Sequence, residues 1–329
     1  MARRDPDWDG VRLHVVTGKG GTGKTTVAAG LALALAGDGS RVLLVEVEGR
    51  QGIAQLFDVP PLPYEERKVA VGPGGGEVYA LAVDAEAALL EYLDMFYRLG
   101  RAGRGLRRLG AIDFATTIAP GMRDVLLTGK LYEAVRRKPG RGRRYDTVVL
   151  DAPPTGRIGR FLGVNAEVVG LARVGPIRSQ AQSIMKLLES PQTAVHVVSL
   201  LEEMPVQETC DAVAELSRAG LAVGAVVVNT VREPLLRARE LTAVRKGLVD
   251  RGEVAAGLKA AGVRSGEAVV DALLAEAAEH AERVALEKTQ RKTLAALGRP
   301  MYQLPLLPDG IDLGALYLLA ERLCQQGAA

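Results

Sequence analysis

Eight residues near the start of the chain restrict its fold more than any other feature. Gly18-Lys19-Gly20-Gly21-Thr22-Gly23-Lys24-Thr25 satisfies the pattern G-x-x-x-x-G-K-[ST]. The β-branched run at 11–17 before it reads as a strand. Residues 25–36 after it read as a buried helix, stopped by Gly37 and Gly39. The composition of such a turn follows from its chemistry. Gly18, Gly20, Gly21 and Gly23, with Thr22 between them, let backbone N–H groups turn inward around phosphates. The helix that begins at Thr25 and Thr26 adds the positive end of its dipole. Lys24 is expected to reach the terminal phosphates of ATP, and Thr25 to hold Mg²⁺.

The rest of the chain supports a parallel sheet. Residues 42–47 form an apolar run with almost no alternation, which suits a strand covered on both faces. Similar runs recur at 78–83, 147–150, 194–199 and 222–228, and 301–304 reads as a last one. Strands alternating with helices predict an α/β fold, a doubly wound and mostly parallel sheet. Two stretches exceed a minimal βαβ repeat. Residues 85–137 look helical, with Leu89, Leu90, Leu93, Phe96 and Tyr97 at helical spacing. Residues 232–298 are rich in Ala, Glu and Arg, and 266–297 could hold one long helix. Both are expected to be helical insertions on a single domain spanning 1–329. The basic clusters at 101–108 and 136–144 read as solvated loops, and Gly72-Pro73-Gly74-Gly75-Gly76 as a turn before a strand.

Composition removes several classes of function. With 42 basic and 39 acidic side chains, the net charge is +3, which gives no electrostatic case for nucleic acid. Aromatic residues at 4% weaken any base-stacking platform. The two cysteines, Cys210 and Cys324, make neither a disulfide framework nor a four-ligand zinc site, and a reducing cytoplasm is the expected compartment. The first residues, Met1-Ala2-Arg3-Arg4-Asp5-Pro6, lead into no secretory signal. No apolar run is long enough to cross a bilayer, so no integral membrane protein is expected.

A second chemical signal is Asp151-Ala152-Pro153-Pro154-Thr155-Gly156-Arg157, directly after the strand Val148-Val149-Leu150. An acid at the carboxyl end of a parallel strand is where Mg²⁺ is held beside a phosphate-binding turn. Pro and Gly behind it make a loop able to respond to the γ-phosphate.

Together these segments resemble a known family. With its extra Lys19, the run from Gly18 to Thr26 looks like the deviant Walker A motif of the dimeric ATPases that include partition, nitrogenase-iron-protein and arsenite-pump ATPases. In that group the extra lysine reaches the nucleotide held by the partner subunit, so the resemblance implies a nucleotide-bridged dimer. Asp151 to Gly156, followed by Arg160-Phe161-Leu162, is similar to the D-T-A-P-T-G-H-T-x-R-F/L-L segment of the arsenite-pump and tail-anchored-protein-targeting ATPases. Further segments match in order: Ala119-Pro120-Gly121-Met122, Glu203-Met204-Pro205-Val206-Gln207-Glu208-Thr209, Val226-Val227-Val228-Asn229 and Pro305-Leu306-Leu307-Pro308. By resemblance, Asn229 and the loop at Pro305 and Leu306 flank adenine. The segment from Val45 to Phe57 looks like the actinobacterial branch, commonly encoded as adjacent unequal pairs. A homodimer, or a heterodimer with a similar ATPase subunit, is therefore implied, with protein or membrane-protein cargo possible in this family.

The departures are specific. The family's water-positioning Asp falls on Glu48, within Glu46-Val47-Glu48-Gly49-Arg50, and its switch-segment His is Arg157. The zinc pair of the targeting ATPases and the cysteine set of the arsenite pumps have no counterpart. The expected catalytic residues are Glu48, Lys19 and Asp151, and the expected metal ligands Thr25 and Asp151. Two other readings stay open at this point: a partition or division-site ATPase, and a nucleotide-locked structural subunit with little turnover.

Overall fold

Apolar strands without polar alternation need cover on both faces, and the sheet supplies that arrangement. The computed structural model describes residues 8–37, 39–97, 121–137, 144–171, 176–264 and 266–329. Its strands are β1 (Leu13–Gly18), β2 (Arg41–Glu46), β3 (Arg67–Val71), β4 (Glu77–Ala82), β5 (Thr147–Asp151), β6 (Thr193–Ser199), β7 (Val223–Val231) and β8 (Met301–Pro305). They form one sheet in the order β3-β4-β2-β5-β1-β6-β7-β8. Among these pairings only β3 with β4 is antiparallel. This is the mostly parallel α/β fold that the strand runs predicted.

The helices are α1 (Lys24–Leu35), α2 (Gly52–Leu56), α3 (Ala85–Tyr97), α4 (Met122–Arg136), α5 (Thr155–Leu171), α6 (Pro176–Leu188), α7 (Glu203–Arg218), α8 (Ala238–Arg245), α9 (Arg251–Ala260), α10 (Glu267–Ala295) and α11 (Leu313–Gln325). Successive residues of a strand point to opposite faces, so apolar cores form on both, with a smaller cluster of Leu201, Val206, Val226, Val228 and Leu294 beside them. Val16, Val42, Leu44 and Val149 pack toward α1 and α11. Leu13, Val15, Leu43, Val45, Val148 and Leu150 pack toward α4, α5 and α6. Helix α1 is buried continuously from Val27 to Leu35, as its lack of a polar stripe requires. A Cβ at Gly30 would lie 3.5 Å from Leu319 Cβ, in ordinary contact, so α11 packs directly over this part of α1.

Strand β3 went unread in the sequence. It is a short edge with exposed Arg67 and Lys68, and charge on an edge discourages pairing with another sheet. The glycine-rich stretch at 72–76 is the turn between β3 and β4, closed by Gly72 N–H to the Gly76 carbonyl at 2.8 Å. Among the described residues the stretch at 232–298 holds three helices. Helices α8 and α9 bury no residue, and α10 buries Val270, His280, Ala281 and Leu294. Residues 1–7, the cluster at 101–108, most of the cluster at 136–144, and Ala119 and Pro120 lie outside the described residues. So do the side chains of Leu93, Phe96 and Tyr97. Among the described residues no helix is long and apolar enough to cross a membrane.

Candidate nucleotide site

In an open parallel sheet, ligands bind beyond the carboxyl ends of the strands. Here β1, β2 and β5 deliver their ends side by side, with Glu46 and Val16 each in register with Asp151. The turn after β1 needs glycine at identifiable places. Gly18, Gly21 and Gly23 adopt φ of 156°, 87° and 84°. A side chain at Gly18 would collide with the Val198 carbonyl, and one at Gly23 with the Asn229 amide. That amide donates to the Thr22 carbonyl at 2.9 Å, while the Thr22 hydroxyl donates to the Lys19 carbonyl at 2.8 Å. Asn229, on β7, is thus part of the turn's own frame. Gly20 has open space around it, and Thr26 follows Thr25 in the first turn of α1.

Lys24 and Thr25 open α1. The Lys24 ammonium rests 3.5 Å from the Lys19 carbonyl. Burial lowers its pKa, opposed by the negative charges of Asp151 and Glu48, while Arg50 adds to the lowering. The Thr25 hydroxyl donates to Asp151 Oδ2 at 2.7 Å. Asp151 is pushed up to about 6, first by burial; Thr25 and Lys24 pull it down, and Glu46 and Glu48 push it up. Among the described residues its Oδ1 is buried without a hydrogen-bond partner. A hydroxyl and a carboxylate with one free buried oxygen are hard oxygen donors of the kind Mg²⁺ prefers. Thr25 and Asp151 therefore fit this ion.

The acids at the end of β2 divide their tasks. Glu46 is buried, and its carboxylate accepts the N–H groups of Gln51 at 2.6 Å and Ile53 at 3.1 Å. It caps α2 and fixes the intervening loop. Glu48 has no such duty. Its carboxylate lies 3.6 Å from Arg50 and 3.8 Å from Arg157. The loop after β5 is anchored by the Thr17 hydroxyl, which donates to the Pro153 carbonyl at 2.7 Å.

Lys19 is paired within its own chain. Its ammonium lies 2.8 Å from Glu208 Oε1 on α7, and the other carboxylate oxygen accepts from the Thr155 hydroxyl at 3.2 Å. Pro305 ends β8 in register with Val231, and the Leu306 N–H donates to the Val231 carbonyl at 2.9 Å. The Pro305-Leu306 loop thus stands two positions beyond Asn229 on the neighbouring strand. The structure brings Lys24, Thr25, Asp151 and Asn229 together around the turn, with Glu48 near Lys24, while Leu306 is exposed just after β8. Glu208 lies in a segment whose spacing carries no task for it, and no pattern in the chain marks Asp124 or Arg123. Only the folded chain brings those groups to Lys19 and Arg157.

Residues 11–190 match the anion-transporting ATPase family. The chain belongs to that family. Relatives of this anion-transporting ATPase chain include "ATPase BagA" of Mycobacterium tuberculosis. It is 56% identical over 319 residues, covering 97% of this chain and 94% of that one. "ATPase GET3" of Kluyveromyces lactis is 27% identical, over 66% of this chain and 71% of its own. "Arsenical pump-driving ATPase" of Acidiphilium multivorum is 27% identical, over 65% of this chain and 38% of its own. The mycobacterial relative supports the actinobacterial branch that the segment from Val45 to Phe57 resembles.

Proposed function

We propose that the chain binds and hydrolyses ATP with Mg²⁺, and that nucleotide state opens and closes a dimer. The observation that carries this reading is the Thr25–Asp151 contact of 2.7 Å at the mouth of the glycine turn, with Lys24 beside it. The turn's N–H groups and the α1 dipole bind the phosphates, and Lys24 neutralises their terminal charge. Thr25 and Asp151 would hold Mg²⁺, which would supply neutralisation of phosphate charge. Asn229, Pro305 and Leu306 flank the base. Glu48 orients a water toward the γ-phosphate, since Glu46 is committed to α2 and Asp151 to the metal. The reading treats the chain as one P-loop domain carrying helical insertions at 85–137 and 232–298.

Lys19 supplies the dimer step. It stands at the edge of the phosphate turn, where it can reach a nucleotide held by a second subunit, either another copy or a similar ATPase. Contacts made only to the γ-phosphate favour the closed state, and hydrolysis removes them. Cargo bound by the insertions, protein or membrane protein, would be released or taken up in step. ATP and Mg²⁺ are supplied in the cytoplasm, where we place the chain.

One observation favours a second reading, a nucleotide-holding subunit with slow turnover. Glu48 is flanked by two guanidinium groups, which compete with water for its oxygens. Calorimetric titration of Mg-ATP into wild type and Lys24→Ala tests the shared premise. Micromolar binding lost in the variant is expected; wild-type affinity in Lys24→Ala would remove the nucleotide site from the account.

A further inference from the structure

Beside Glu48 lies a cavity of about 190 Å³, lined by charged groups from three parts of the chain. Glu48 and Arg50 come from the loop after β2, Arg157 from the first turn of α5, and Arg123 and Asp124 from the first turn of α4. Three guanidinium groups around a polar cavity suggest an anion site, but each already has a partner. Arg123 donates to the Val47 carbonyl at 3.3 Å, and Arg50 faces Glu48 at 3.6 Å. Arg157 stands between two carboxylates, 3.8 Å from Glu48 and 3.9 Å from Asp124. Three guanidinium groups face two carboxylates, which leaves one net positive charge, but every guanidinium is already engaged and the contacts join the three parts of the chain as a linkage.

The Asp124 side chain is only 11% exposed, so its charge needs a counter-ion. Among the described ion pairs that counter-ion is Arg157. A guanidinium carries five donors in one plane and can address two carboxylates at once. We propose that Arg157 is a positioning residue for hydrolysis: bridged to Asp124 on α4, it holds the Glu48 carboxylate where that group can orient the attacking water. This rests on Glu48 being the water-orienting group. Asp124 keeps the guanidinium from closing fully onto Glu48, and Arg157 keeps Glu48 from collapsing onto Arg50. A shift of α4 then reaches the nucleotide site through two ion contacts, which gives the insertion a physical grip on turnover.

Single-turnover and steady-state ATP hydrolysis by Arg157→Ala, Glu48→Gln and the double variant test this. Arg157 is half exposed, but Arg157→Ala also removes the counter-ion of Asp124, so urea unfolding of each variant is run alongside to confirm that the fold survives. Arg157→Ala is expected to lower kcat about tenfold, the scale of a sub-ångström to 1 Å misplacement, with KM for ATP within twofold. Asp124→Asn should also lower kcat, by freeing Arg157 to engage Glu48. In the Glu48→Gln background, Arg157→Ala should cost nothing more. Ethylguanidinium at millimolar concentration should enter the vacated space and restore most of the kcat lost in Arg157→Ala, while leaving wild type unchanged. If Glu48→Gln turns over at the wild-type rate, the Glu48 reading fails. If Glu48→Gln is slow while Arg157→Ala is as fast as wild type, or if the two losses multiply, Arg157 does not act through Glu48 and this inference is overturned.

Discussion

Lys19 and Glu208 form an ion pair of 2.8 Å within one chain, and the same carboxylate accepts the Thr155 hydroxyl. The lysine that would act across a dimer is thus held at home by a residue that also touches the segment following Asp151. In the proposed dimer, closure would exchange this contact for phosphate oxygens of the neighbouring nucleotide. Lys19→Ala is expected to bind ATP as a monomer and to lose nucleotide-dependent dimerisation, read by light scattering with a non-hydrolysable analogue. The pair is about a third exposed, so it is worth no more than about 1 kcal/mol. Glu208→Gln should therefore shift the analogue concentration for closure downward by at most roughly fivefold. Unchanged closure in Lys19→Ala would reduce Lys19 to a loop side chain.

A glycine test separates the turn's geometry from its charge. Gly23 has φ of 84°, and a Cβ there would strike the Asn229 amide. Gly23→Ala should lose about 1–2 kcal/mol from the left-handed backbone alone, and more from displacing Asn229. Urea unfolding reads the stability and calorimetry the ATP affinity. Both should fall together; a variant with wild-type values of both would show that the turn tolerates a side chain.

The sheet carries a pH dependence remote from the nucleotide. His196 is fully buried, stacked on Trp8 with ring centroids 4.5 Å apart. Its Nδ1 accepts the Ala225 N–H at 3.0 Å. This leaves its Nε2–H to donate to His14 Nδ1, also at 3.0 Å. Burial lowers the His196 pKa to about 3. Between that value and the ordinary histidine pKa of about 6.5, the unfolded chain takes up a proton that the folded chain refuses. Folded stability therefore falls as pH falls through this window, by about 1.4 kcal/mol per pH unit from this group. Urea unfolding at pH 7 and pH 5 should show the loss in wild type and a shallower slope in His196→Gln. Equal slopes would assign the dependence elsewhere.

Much of this was legible because it is local. The turn from Gly18 to Thr25 and the acid at Asp151 are short patterns with one mechanical purpose, and continuous apolar runs announce buried parallel strands. Strand β3 was not legible: its exposed Arg67 and Lys68 and its short length resemble a solvated loop, and only pairing with β4 makes it a strand. The task of Glu46 was equally hidden. It ends β2 two positions before Glu48, and only the fold turns it onto the N–H groups of α2. Lys19 meeting Glu208, and Arg157 meeting Asp124, join segments far apart in the chain that no local spacing records.

The two thiols give a further check. Cys210 lies on α7 and Cys324 on α11, both partly buried, and burial raises both thiol pKa values. Soft metal sites need several convergent thiolates. Purified protein should carry no stoichiometric zinc, and ATP turnover of the Cys210→Ser, Cys324→Ser double variant should match wild type with or without arsenite. Bound zinc by elemental analysis, or arsenite stimulation lost with the thiols, would contradict this.

The most direct test of the whole account is single-turnover ATP hydrolysis by wild type and Glu48→Gln with Mg²⁺ present. Glutamine keeps the size and most of the hydrogen bonding of Glu48 but removes its charge. Wild type should hydrolyse the bound ATP. The variant should bind ATP with near-native affinity, hydrolyse it roughly 10²-fold more slowly, and accumulate as the closed dimer. A Glu48→Gln rate within a few-fold of wild type would show that water is oriented by another group, and no hydrolysis by wild type would contradict the assignment of this site as an ATPase.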